Sequence, residues 1–272
     1  MKEICGDISA TYRPGLATKL WYLLYNLGRG IFGAFSLTRT KQWQPKRLRV
    51  TVDHTPMRIL TNAAFDELVS TYVTQKQLSV FDIGSGSAYF RERLAALGYQ
   101  GTYTGVDVYQ HRAYQDDAVP AFASELLISP IEDVVPNQTY NLVMSVTALE
   151  HIPDDFKAVE VAQRAAGEKG VQIHIVPGFW SLFLYLLHGY RQYNRKRLGR
   201  LFAGQSYQIY RLGGLPSFLV HLFCITIPEK ILHVHIRQKS FYPRLVETAI
   251  KFDRWLPICG YAFVVIVNKN SL

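Results

Sequence analysis

Residues 80–90 read Val-Phe-Asp-Ile-Gly-Ser-Gly-Ser-Ala-Tyr-Phe, and a second carboxylate, Asp107, lies 21 positions beyond Gly86. An apolar run ends in Asp82, a glycine turn follows, and a helical pattern starts at once. This is the order of a strand, a phosphate-sized turn and a helix. The next apolar run delivers a carboxylate at the ribose-binding distance of a nucleotide fold. Gly84 and Gly86 carry no side chain, so a ligand can lie against the Gly84-Ser85-Gly86 backbone and the amides that open the helix. Asp107 closes Thr104-Gly105-Val106-Asp107-Val108, where a carboxylate can accept from two ribose hydroxyls. A dinucleotide fingerprint wants a third glycine at position 89, and Tyr89 stands there. Asp82 is equally unsuited to a pyrophosphate, since it repels an anion. It suits a ligand with a cationic end.

A second stretch, Asn141-Leu142-Val143-Met144-Ser145-Val146-Thr147-Ala148-Leu149-Glu150-His151-Ile152, follows at consistent spacing. Taken singly, a Gly-x-Gly is a tight turn, Asp107 a strand-end cap and Glu150-His151 a solvated helix start. Taken in order, they resemble the class I S-adenosylmethionine-dependent methyltransferases. The acidic-x-Gly-x-Gly first motif falls on Asp82 to Gly86, and the fourth strand with its Leu-Glu-His-Ile stretch on residues 141–152. The resemblance covers roughly residues 76–177. The family usually has Asp where Asn141 stands and often a third glycine where Ala88 stands. The resemblance implies S-adenosyl-L-methionine as cofactor and methyl transfer from its sulfonium to a nucleophile. It places Asp82 and residues 84–86 on the amino-acid end, Asp107 on the ribose and Val108 against the adenine. It places Ile131, in Pro130-Ile131-Glu132, at the adenine edge and Ser145 beside the methionine part. His151 is the candidate general base for a hydroxyl acceptor, with His188 second. No Asn-Pro-Pro-Tyr-like motif follows the fourth strand, which disfavours amino methylation of nucleic-acid bases.

The elements needed to position these residues are readable. An amphipathic helix is expected over 55–75, then strand 78–83, helix 89–97, strand 103–108, strand 142–145, helix 155–166 and strand 171–176. Asp154 or Asp155 would cap the helix that Gly167 and Gly170 end. Such alternation predicts an α/β fold with a doubly wound, mostly parallel sheet. The resemblance makes it a seven-stranded Rossmann-like sheet. Its closing antiparallel strand would be 260–267, preceded by a helix over 243–255. Pro177-Gly178 breaks the alternation, and residues 178–228 are expected to be an insertion after the fifth strand that recognises substrate. Residues 1–54 are expected to be a basic, aromatic-rich helical extension, with the methyltransferase domain over 55–272.

Half the chain is apolar (49%), which excludes a disordered protein. The three cysteines, Cys5, Cys224 and Cys259, are odd in number and scattered, so neither a disulfide framework nor a metal site is expected. Acidic residues interrupt the N-terminus before any apolar run, and a cytoplasmic setting is the expectation. The net charge of +9 is uneven. Residues 8–52 hold eight Lys or Arg and residues 169–228 hold seven, with no Asp or Glu in either. Both segments are also rich in aliphatic and aromatic residues, as in Leu20-Trp21-Tyr22-Leu23-Leu24-Tyr25, Ile31 to Phe35 and Phe179 to Leu187. Two roles suit them: a surface lying on an anionic membrane, or a lid packed on the core. Neither reaches the roughly 20 apolar residues that span a bilayer. The expected acceptor is a small molecule, a glycan or a lipid-linked intermediate, O-methylated at the cytoplasmic membrane face. An RNA acceptor fits the cations but not the aliphatic runs, and a non-catalytic cofactor-binding protein is the reading from another class.

Overall fold

A computed structural model describes residues 16–34, 40–185 and 188–268. The sequence expectations for residues 1–15 (Cys5 among them), 35–39 and Leu186-Leu187 lie outside the described residues. Among the described residues, eight strands form one sheet: β1 (Lys41–Gln42), β2 (Gln77–Ile83), β3 (Gln100–Asp107), β4 (Phe122–Ile128), β5 (Leu142–Val146), β6 (Val171–Pro177), β7 (Tyr207–Leu212) and β8 (Ala262–Val267). Their order is β1-β7-β8-β6-β5-β2-β3-β4. β2 pairs in parallel with β3 and β5, β3 with β4, β5 with β6, and β1 with β7. β8 runs against β7: Tyr261 N–H donates to Leu212 O (3.1 Å) and Asn268 N–H to Ser206 O (3.3 Å). The helices are α1 (Leu16–Ala34), α2 (Pro56–Tyr72), α3 (Tyr89–Ala96), α4 (Asp155–Ala166), α5 (Ser181–Tyr185), α6 (Arg195–Leu201), α7 (Leu215–His221) and α8 (Tyr242–Phe252).

The strands seen in the sequence are the buried ones. Every residue of β5 and β6 is buried, and both are mostly apolar, with Ser145, Gln172 and His174 the polar residues among them. Edge strand β4 is half exposed and β7 is only partly buried up to Leu212, and neither is a continuously buried run. β7 lies inside the segment 178–228, which therefore carries a sheet strand as well as helices. The eighth strand, one more than the seven expected, is β1. It has two residues and is held by a side chain: Gln42 Nε2 donates to Gly213 O (2.8 Å), and Arg211 Nε donates to Gln42 Oε1 (3.0 Å). Among the helices, α4 starts where Asp154 accepts from the Lys157 N–H (3.1 Å), and it buries Ala158, Val159, Ala162 and Ala165.

The described chain divides into two compact units. One comprises the residues up to 64, 176–198 and 209–264; the other comprises 65–175, 199–208 and those from 265. In the first, α1 is anchored by buried Tyr22, whose hydroxyl donates to His188 O (2.8 Å). Asp253 there stands at the N-terminus of α7, accepting from the Ser217 N–H (3.0 Å) and Oγ (2.6 Å). The second unit contains the whole Gly84-Gly86 turn and its neighbours. No described helix is long and apolar enough to cross a membrane.

Candidate cofactor and active site

β2 ends beside the C-terminal ends of β3 and β5, where open α/β sheets bind ligands. The turn after β2 is fixed by two amides: Gly84 N–H and Ser85 N–H both donate to Val106 O (2.8 and 3.1 Å). Gly84 has φ +71°, and a Cβ there would lie 2.5 Å from the Ala148 Cβ. The turn after β2 therefore touches the loop after β5, and only glycine allows it. Gly86 (φ +52°) differs, since nothing lies within 4 Å of where its Cβ would be. The space over Gly86 is open for a ligand.

Asp107 faces this bend. Its Oδ2 accepts from the Gly86 N–H (2.9 Å) and its Oδ1 from the Val108 N–H (2.8 Å). A carboxylate has about four acceptor positions, so one on each oxygen is left for a further donor. Val108, next in the chain, is 54% exposed, an apolar wall without a protein neighbour covering it. Ile131 is buried in the short turn after β4. Ser85 is buried as well, with its Oγ set against Gly105 of β3, where a Cβ would come within 2.7 Å. Ser145 is fully buried, and its Oγ lies 2.8 Å from His174 Nδ1. Its hydroxyl is committed to that partner.

Asp82 is 3% exposed and accepts from the Tyr103 hydroxyl through Oδ2 (2.5 Å). Burial pushes its pKa up to about 7; the Tyr103 hydrogen bond works against the rise and the nearby Asp107 charge adds to it. Tyr103 is itself driven upward by burial and by Asp82. The Arg91 guanidinium, buried too, sits over the rings of Tyr103 and Tyr114 (5.5 and 5.3 Å). It donates to the Gln115 and Asp116 carbonyls and to Ser124 Oγ. A buried carboxylate near neutrality is poised to ionise against a cation.

The loop after β5 is strained at Thr147, a β-branched residue at φ +53° whose N–H donates to Ile175 O (2.7 Å). It leads into a single helical turn, Leu149–His151. His151 Nε2 lies 3.9 Å from Oε1 of fully buried Glu150. His188, in the other unit, sits with its ring 5.4 Å from that of Tyr185. Sequence reading missed Tyr103, Thr147 and His174. Tyr103 meets Asp82 only through the β2–β3 register, in which Val80 stands opposite Tyr103. His174 is held neutral, its pKa lowered to about 3 by burial, and its Nε2 lies 3.1 Å from Gln172 Oε1. Its sequence signal was a histidine, with Gln172 two positions before it, inside a mostly apolar strand. Asn141, where the family usually has Asp, lies at the opposite end of β5. Its Oδ1 accepts from Ser79 N–H (2.8 Å) and Oγ (3.0 Å), tying β5 to β2.

Residues 81–173 match a family model described as "Methyltransferase domain". A curated relative, a ubiquinone biosynthesis O-methyltransferase from Hydrogenovibrio crunogenus, is 24% identical over 132 residues. That match covers 47% of this chain, which spans about half (50%) of the relative's length. Among solved structures, coclaurine N-methyltransferase bound to N-methylheliamine and SAH superimposes with a TM-score of 0.52 at 11% identity, over 95% of this chain and 90% of that one. The cyclase SpnF gives 0.52 at 13% identity, over 93% and 96%. At these identities the two structures share the fold.

Proposed function

We propose that this chain, whose residues 81–173 match a methyltransferase-domain model, is a class I S-adenosylmethionine-dependent methyltransferase that methylates a hydroxyl of a glycan or lipid-linked acceptor at the cytoplasmic face of a membrane. The observation that carries the cofactor half is Asp107: its carboxylate bonds the Gly86 amide across the bend and keeps two acceptor positions for a diol. The oxygen acceptor is supported by the curated relative's name, an O-methyltransferase. The membrane face is supported by the cationic, aromatic segments 8–52 and 169–228. Small-molecule acceptors of other kinds share the same chemistry at the site.

When bound, S-adenosyl-L-methionine supplies an activated methyl group on a good leaving group. The chain's own work is mostly alignment. Asp107 would orient the ribose, the open Gly86 backbone would admit the ligand and Val108 would cover the adenine, with Ile131 at its edge. Asp82 faces the cationic ammonium, and meeting that cation favours its ionised form. The protein therefore releases a proton on binding cofactor below pH about 7. Ser145, locked by His174, holds the floor. His151 accepts the acceptor hydroxyl's proton, with the Glu150 carboxylate facing the imidazolium that results.

Turnover of methyl-labelled cofactor on separate membrane-lipid, glycan and RNA fractions tests the proposal, and label in an alkali-stable ether of the lipid or glycan fraction is the expected result. Label in RNA moves the acceptor to nucleic acid. Tight cofactor binding with no labelled product makes the chain a non-catalytic binder.

A further inference from the structure

α8 carries two apolar faces, and the fold uses one. Tyr242, Val246, Ala249 and Ile250 are buried. Phe241, Leu245, Phe252 and Trp255 recur at helical spacing on another side of the same helix and its exit, and all four are exposed, Trp255 at 68%. α7 and the two π-helical turns that follow it (Leu222–Thr226 and Pro228–Leu232) pack in the same unit, α7 directly on α8. These turns expose Phe223, Ile231 and Leu232 as well. Scattered exposed apolar residues are ordinary, but a second full stripe on a helix whose unit also exposes an apolar turn is an interaction surface.

The charges say what covers it. The acidic side chains of residues 215–258 are all occupied. Glu229 is ion-paired with Arg237 Nε (2.8 Å), Glu247 with Lys251 (2.7 Å), and Asp253 is buried against Ser217. Lys239, Arg244 and Arg254 are exposed around the stripe, with the Arg254 guanidinium 5.0 Å from the Trp255 ring. An apolar stripe with an aromatic edge and a cationic rim matches an anionic bilayer surface. A second copy matches it poorly, because a two-fold contact would set the cationic rim against itself.

We propose that the outer stripe of α8 with Trp255, together with the exposed π-helical turns, docks this protein on anionic lipid. The inference deepens the membrane-face part of the proposed function and is independent of the acceptor's chemistry. The test is co-sedimentation with phosphatidylcholine vesicles with and without phosphatidylglycerol, over a range of salt, with cofactor affinity measured in parallel. The parent should bind only the anionic vesicles and leave them as salt rises. Phe252→Ser with Trp255→Ser should weaken binding by at least about tenfold, and Arg244→Glu should weaken it at low salt. Cofactor affinity and melting temperature should stay at parental values, since these side chains are exposed. Binding abolished by Trp21→Ser on α1 but untouched by the α8 substitutions would move docking to α1, overturning this surface and keeping the membrane face. A parent that binds no vesicle overturns both, whatever its methyl-transfer activity. A concentration-dependent dimer dispersed by the α8 substitutions, without vesicle binding, assigns the surface to a second copy instead.

Discussion

At the residue scale, two carboxylates do different work because their surroundings differ. Asp107 is half-buried and satisfied by two backbone amides, while Asp82 is sealed beneath the turn with one tyrosine. Asp107→Ala removes a charged acceptor from the ligand and from Gly86. Charge-assisted hydrogen bonds of this kind are worth about 1.5–3 kcal/mol, so cofactor affinity by calorimetry should fall about 10- to 100-fold. Unchanged affinity would refute the ribose assignment. Asp82 carries a pH signature. Its folded pKa of about 7 exceeds the ordinary 3.8, so between these values the folded chain holds a proton that the unfolded chain lacks. Its contribution to stability is present at low pH and is lost as pH rises to about 7. Asp82→Asn should abolish that slope and raise stability at pH 8 by on the order of 1–3 kcal/mol. The same variant should bind cofactor more weakly. Urea titrations at several pH values, paired with calorimetry, check both halves.

At the element scale, the site is a meeting of two loops on adjacent strand ends. The β2–α3 turn and the loop after β5 touch at Gly84 and Ala148, and the second loop is held in place at the cost of a positive φ at Thr147. Gly84→Ala puts a Cβ 2.5 Å from the Ala148 Cβ at a φ of +71°. It should cost about 1–3 kcal/mol in stability and weaken cofactor binding. Adding Ala148→Gly should recover the steric part but not the backbone strain, which is about 1–2 kcal/mol for an L-residue in that region. Thermal melts of the single and double variants give the split, and additive losses would show that the loops do not touch. α3 opens in the same strained manner: Ala88, where the family often has glycine, sits at φ +60° and is fully buried. The glycine preference was visible in the motif; that alanine tolerates the angle here is a property of its packing.

At the scale of the whole molecule, each compact unit buries one carboxylate with a raised pKa and one imidazole with a lowered one. Asp82 and His174 belong to one unit, and Asp253 and His221 to the other. Burial drives all four shifts, and their effects on stability oppose. Asp253, raised from 3.8 to about 6, costs stability as pH rises between those values. His221, lowered from 6.5 to about 3, costs stability as pH falls through that window, because the unfolded chain takes up the proton first. Over pH 4–6 the two cancel. His221→Asn removes one side of the balance. Relative to the parent, its stability should then decline with rising pH over this window by about 1.4 kcal/mol per unit, as read by urea unfolding. A parallel shift without a change of slope would mean that His221 is charged in the folded chain.

What the sequence determined by itself was local. The Asp82–Gly86 turn, the carboxylate at 107, the fully buried strands and the cap at Asp154 are each written within a few residues, because backbone angles and apolar runs are set by near neighbours. β4 and β7 were not legible, since partly exposed strands carry no unbroken apolar signal. Neither was β1, two residues that pair with β7 and whose Gln42 side chain bonds Gly213 and Arg211. The tertiary structure alone decided that the Tyr103 hydroxyl donates to Asp82, that Ala148 closes on Gly84, and that Ser145 answers to His174. It also decided which of α8's two apolar stripes is buried. These contacts join residues 21 to 64 positions apart or choose between equivalent faces of one helix. Strand register and packing settle such choices, and no short stretch of sequence encodes either.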